Sequence, residues 1–213
     1  VRVSDGSEVV YDPYPSFPGS ALASEFVFLP DAELVGVRYF SYDGSSFPPV
    51  TASLLYILER ATALPVTVTV AQSPRFLADG RMLYRTSFTA YRGSTYEHAW
   101  SGRWDVNSTS LELSPPVQPD NHVSLVLPAP RAGVAVFGWR DTFWSANNAE
   151  LFASPIDGGA PVPLTPPPSV GQRTWVDALH VRSSDELVIY MADEVQYVTE
   201  LWAVPVDGAL PPR

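Results

Sequence analysis

The sequence predicts an all-β fold: a β-propeller of about four blades, each a four-stranded antiparallel sheet, or part of a larger propeller. Three observations carry this expectation. The twelve residues "ELFASPIDGGAP" from Glu150 return as "ELWAVPVDGALP" from Glu200. A longer echo recurs without gaps at a spacing of 53 residues in three places. The 22 prolines and 13 glycines are spread so evenly that few stretches leave room for a long helix, while Val, Thr, Tyr, Phe and Trp abound. Burial explains the repetition: a lone four-stranded sheet exposes two faces, and radial stacking of copies hides them. The competing architecture is a β-sandwich with two accidentally similar hairpins, which does not account for sixteen-residue registers.

Taken in order, a first unit spans residues 1–68. "SDGSEVVY" (Ser4 to Tyr11) reads as a turn and a strand, and "EFVFLP" (Glu25 to Pro30) matches "ELFASP". "LLYILERATALPVTV" from Leu54 reads as a strand pair inserted into that unit. The second unit (69–121) opens on "TVAQSPRFLADGRMLY", the third (122–174) on "HVSLVLPAPRAGVAVF", the fourth (175–213) on "WVDALHVRSSDELVIY". Val70, Val123 and Val176 coincide, as do the endings "MLY", "AVF" and "VIY". Each ending follows a turn-forming patch: Ala78-Asp79-Gly80, Arg131-Ala132-Gly133 or Ser183-Ser184-Asp185. One propeller domain over 1–213 is the expected organisation.

Composition narrows the function classes. Hydrophobic residues make up 46% and charged residues 17%, the profile of a globular chain. A net charge of −10 opposes a phosphate backbone, so nucleic acid is not an expected partner. The absence of Cys removes disulfides and thiolate metal sites. No run reaches the roughly 18 apolar residues of a helical membrane span. All 13 basic residues are Arg, which points to a GC-rich, bacterial source.

The turn and strand patterns together resemble the WD40-like repeats of TolB-type β-propellers. In that pattern a Pro-Asp-Gly turn precedes a strand ending in Tyr, then "ELW", an Asp-Gly-Gly turn and a Leu-Thr. Asp79-Gly80 with Met82-Leu83-Tyr84 fits the first part. Glu150-Leu151-Phe152, Asp157-Gly158-Gly159 and Leu164-Thr165 fit the second, as do Glu200-Leu201-Trp202 and Asp207-Gly208. The match runs from Thr69 onward, with faint echoes before. The Pro-Asp-Gly turn is never complete, and the unit after Tyr84 has "GRWDVNS" where "ELW" belongs. The resemblance implies a fold and a setting in the cell envelope or outside the cell, periplasmic or extracellular. It implies no chemistry. It also implies more blades than 213 residues can supply: either the ring closes with four, or it is part of a larger propeller completed by further sequence, by an oligomer or by blades from another chain.

Catalytic and metal motifs do not rise above background. His98, His122 and His180 share no i,i+2 or i,i+4 spacing, so neither metal nor cofactor is expected. "YEHAW" (Tyr96 to Trp100) sets Glu97 beside His98, but strand neighbours point to opposite faces, and a loop with solvated polar residues is the simpler reading. No G-x-S-x-G turn occurs. "SVGQRTW" from Ser169 lacks the aspartate of a sialidase Asp-box, and the Asp-Gly turns lack the carboxylate density of a Ca²⁺ loop. Asn107-Ser108-Thr109 is a formal sequon without meaning in a bacterial source.

Register supplies the candidate site. Segments between second and third strands, "DPYPSFPGSALAS", "RTSFTAYRGSTYEHA", "GWRDTFWSANNA" and "MADEVQYVT", would emerge on one face of the ring. Among their residues Tyr91, Tyr96, Arg140, Phe143, Trp144 and Tyr197 are the candidate binding set, since aromatics and Arg dominate interface energetics and aromatic surfaces suit sugars. The expected function is non-enzymatic recognition of a protein or glycan. The alternatives are a glycan-active or peptidase-associated propeller enzyme, and a structural subunit that completes its ring by oligomerising.

Overall fold

Successive side chains on a strand point to opposite faces, so an unbroken apolar run such as Met82-Leu83-Tyr84 suits a strand covered on both sides. The computed structural model describes residues 21–29, 34–43, 50–59, 65–89, 94–103, 109–116, 120–140, 149–165, 173–182, 187–195 and 198–207. No helix occurs among them. The strands are β1 (Ala21–Phe28), β2 (Leu34–Asp43), β3 (Val50–Glu59), β4 (Pro65–Val70), β5 (Gln72–Phe76), β6 (Arg81–Thr89), β7 (Thr95–Arg103) and β8 (Leu111–Glu112). They continue as β9 (His122–Val123), β10 (Leu127–Ala129), β11 (Val134–Arg140), β12 (Ala149–Pro155), β13 (Val162–Pro163), β14 (Arg173–Arg182), β15 (Leu187–Val195) and β16 (Val198–Pro205).

They form four antiparallel sheets in chain order: β1-β2-β3-β4, β5-β6-β7-β8, β10-β11-β12-β13, and β14-β15-β16. Each sheet is an up-and-down meander, the plan of a propeller blade. Two sheets depart from four strands. In the third, β9 also pairs with β11, and the fourth has three strands among the described residues.

The sequence echo is geometric. Gly80 and Gly133, 53 positions apart, both hold a left-handed φ, +82° and +68°. Each closes the same turn, Gly80 N–H donating to Leu77 O and Gly133 N–H to Pro130 O. Beyond the turn, Tyr84 pairs across strands with Trp100, Phe137 with Phe152, and Tyr190 with Trp202. An aromatic cross-strand pair thus sits at one repeat position three times.

Those pairs all look back toward the preceding sheet. Met82, Tyr84 and Trp100 pack on Leu55 and Ile57 of the first sheet. Ala135, Phe137 and Phe152 pack on Leu83, Ala99 and Leu113 of the second. Val188, Tyr190 and Trp202 pack on Val136, Leu151 and Ala153 of the third. Leu83 and Val136, 53 residues apart, therefore both face the following sheet and both are fully buried. The second and third sheets are covered on both faces, as their unbroken apolar runs require.

The structure differs from the expectations in three places. Leu54–Glu59 and Pro65–Val68 are no insertion: they belong to β3 and β4, regular members of the first sheet. The correspondence does not begin at Val70, which ends β4 of the first sheet, whereas Val123 joins β11 of the third. Within the expected loop segments, residues 21–24, 85–89, 95–99, 138–140, 149, 191–195 and 198–199 are strand, because β6, β7, β11, β15 and β16 run on past their apolar runs; 12–20, 90–93, 141–148 and 196–197 lie outside the described residues.

Candidate functional site

Extension of β6 and β7 brings polar side chains to the seam between the second and third sheets. Glu97 lies near the start of β7 and is only 8% exposed. A buried carboxylate needs donors to replace its lost water. Its Oε2 accepts the Val123 N–H at 2.7 Å and lies 3.0 Å from His122 Nδ1 and 4.0 Å from Arg85 Nη1. Arg85 Nη1 also donates to Val123 O at 2.8 Å. Burial pushes the Glu97 carboxyl up, but His122, the Val123 N–H and the Arg85 charge outweigh it and hold the group below its usual range.

The approach to β9 is built by the same exchange. Asn121, fully buried, accepts the Glu97 N–H with Oδ1 and donates from Nδ2 to Glu97 O. Asp120, at φ +63°, accepts the Thr95 N–H and donates its own N–H to Thr95 O. Asp and Asn side chains thus stand in for a missing ladder beside β7. On the other side β9 joins β11, with His122 opposite Arg140 and Val123 opposite Trp139. Ser124 continues the link through Gly138 N–H to its Oγ at 2.6 Å. The segment is a polar clamp between two sheets.

His98 points to the opposite face, as the strand period demands. Its Nδ1 lies 2.7 Å from Glu112 Oε1, and its ring stacks on Trp100 with centroids 5.5 Å apart. "YEHAW" is therefore strand, not solvated loop, and Glu97 is buried.

At the other end of the seam, a cleft of about 470 Å³ is lined by Asp79, Arg81, Ser101, Gly102, Arg103, Thr109, Leu111, Ile156 and Asp157. Arg81 pairs with Asp79 in its own turn and with Asp157 in the Asp-Gly turn of the next sheet. The bond from Arg81 holds the Asp79 carboxyl below its ordinary value. Arg81 and the two carboxylates of this cleft are thus engaged in joining neighbouring turns. Among the described residues no group of His, Cys, Asp and Glu is arranged to hold a metal ion.

Of the six residues expected to bind, Tyr96 is half-buried in β7, one residue before Glu97. Arg140 is the last residue of β11, opposite His122 and Ala149. The ends of the two strands that carry Tyr96 and Arg140 therefore meet through β9. Tyr91, Phe143, Trp144 and Tyr197 lie outside the described residues. The clamp itself is not legible in the sequence. Arg85, Glu97 and His122 have no motif spacing, and the only hint was an Asp-Asn pair just before an isolated His.

No family model matches the chain, and no curated protein matches it in sequence. Among solved structures it is similar to the AtxE2 isopeptidase with Astexin3-dC4 bound, at 11% identity and a TM-score of 0.45, over 88% of this chain and 32% of that one. It is also similar to prolyl oligopeptidase B from Galerina marginata bound to a 35mer substrate, at 11% identity and a TM-score of 0.42, over 98% of this chain and 37% of that one. The chain spans about a third of the length of those proteins. The domain is an all-β, propeller-type assembly of antiparallel sheets.

Proposed function

We propose that this domain is a non-enzymatic recognition module whose loop end binds a protein or a glycan. The observation that carries this reading is the clamp: Glu97, His122, Arg85 and Asn121 fix the ends of β7 and β11 to one another, beside Tyr96 and Arg140. A support locked by buried hydrogen bonds lowers the ordering cost of whatever surface it carries. In this reading Tyr96 and Arg140 form the seam of that surface, and Tyr91, Phe143, Trp144 and Tyr197, outside the described residues, complete it. Aromatic and Arg side chains supply most of the binding energy at such surfaces. The repeats are read as TolB-type, on the Asp-Gly turns and Glu-Leu-Trp strands, which would place the protein in the periplasm or outside the cell.

Two paired variants test the proposal, Tyr96→Ala/Arg140→Ala and Phe143→Ala/Trp144→Ala. Each is to be compared with the parent chain on a glycan array and in capture from an envelope extract. A specific ligand bound by the parent should bind at least about tenfold more weakly to each variant, the loss of one or two anchors. Equal binding by the parent and both variants would eliminate this surface.

A further inference from the structure

One sheet face breaks a pattern that the rest of the molecule keeps. Leu83, Val136 and Ile189 hold one place on the central strand of their sheets, with Ser101, Ala153 and Ala203 as register partners. Ala99, Leu151 and Leu201 stand two residues before those partners on the same strands. In the second and third sheets this surface is covered by the next sheet, and Leu83, Ala99, Val136 and Leu151 are all 0% exposed. In the fourth sheet Leu201 is 73% and Met191 36% exposed, with Ile189 and Ala203 half-buried.

What covers the equivalent positions is each time an apolar sheet surface, so the chemistry that fits here is another sheet. The first sheet does not offer one. On its trailing face Val35, Val37 and Leu58 are already 5%, 0% and 0% exposed. Head-to-tail addition of copies would therefore find no free counterpart in the described part of that face. Among the described sheet faces, the one that remains uncovered is this same face on another molecule.

We propose that the exposed face of β14–β16 docks on the same face of a second copy of this chain, about a two-fold axis parallel to the strands. Isologous two-fold contacts are the commonest closed assembly. Such an axis lays β14 over the partner's β16. The exposed His180 and Arg182 at one edge then come over the side that carries the exposed Asp207, while Ile189, Met191 and Leu201 form an apolar centre. Three strands offer less area than a standard stable interface, so the association is reversible and concentration-dependent.

Light scattering and sedimentation equilibrium on the full chain test this from about 1 μM to about 1 mM, the range of weak complexes. The mass should rise toward twice that of one chain. Leu201→Glu combined with Met191→Glu should hold it at one chain throughout, raising the dissociation constant more than tenfold. Both side chains are exposed, so at the lowest concentration, where the parent is also a single chain, the circular dichroism spectrum and melting temperature should stay those of the parent. A single-chain mass at all concentrations, growth beyond a dimer, or dimerisation that survives the double substitution overturns the proposal. Tyr96→Ala/Arg140→Ala should leave the dimer intact, which separates this contact from the loop-end surface.

Discussion

Glu97 is a buried carboxylate that accepts the Val123 N–H and lies beside the His122 ring and the Arg85 guanidinium, and removing it leaves Arg85 and His122 facing each other without the charge they share. Breaking a buried ion pair from one side costs about 3–5 kcal/mol, so Glu97→Ala should lower the denaturation midpoint accordingly in urea. The pH dependence has a definite sign. The folded-state carboxyl titrates below its unfolded value of about 4.5, so its contribution is complete above that value and is lost as pH falls through the folded one. The stability gap between parent and Glu97→Gln should therefore shrink as pH drops from about 5 toward about 3. A gap that widens on acidification would contradict the assigned pairing. Tyr190 gives an independent check: burial pushes its phenol up to about 12, so an ultraviolet titration should lose one component near that pH in Tyr190→Phe.

At the level of single elements, two glycines act for different physical reasons. Gly133 has nothing within 4 Å of an added Cβ, yet its φ is +68°. Gly133→Ala should cost about 1–2 kcal/mol through backbone strain alone. Gly102 presents the opposite case, since a Cβ there would lie 2.5 Å from Ser110 Oγ, the group that accepts the Tyr84 hydroxyl at 2.7 Å. Gly102→Ala should cost about 1–3 kcal/mol by overpacking, and adding Ser110→Gly should recover part of it. Chemical denaturation of the single and double variants measures both. A short strand can also be held by one side chain: Thr165 Oγ1 accepts the Leu151 N–H at 3.1 Å just past β13. Strand lengths were legible only in their apolar centres. Thr86, Ser87, Thr95 and Glu97 look like loop by composition; they are strand because β6 and β7 pair as far as Thr89 and Thr95, and the Asp120 and Asn121 side chains satisfy Thr95 and Glu97 on the open side of β7.

Across the whole molecule, stability should follow how many faces of each sheet are covered. β6 and β11 lie in sheets packed on both sides, whereas β16 belongs to a sheet with one exposed face. Local opening costs most where burial is greatest. Hydrogen exchange at low protein concentration should therefore be slowest in residues 81–89 and 134–140 and faster in 198–205. Faster exchange in β6 than in β16 would show that the sheets do not stack as described.

The repeat, and with it the kind of sheet, is written in the local pattern of the chain. A period of 53 with apolar runs after turns encodes strand, turn and face together, because strand periodicity and the left-handed turn at Gly80 and Gly133 are local properties. Which polar residues matter depends on how the sheets come together. Arg85, Glu97, Asn121 and His122 are scattered in the chain, and a buried charge is recognisable only by the donors that surround it. The fourth sheet makes the same point from the apolar side: Leu151 and Leu201 stand in near-identical phrases, yet one is sealed and the other open. Whether a leucine is core depends on whether another sheet lies over it, and no local pattern records that.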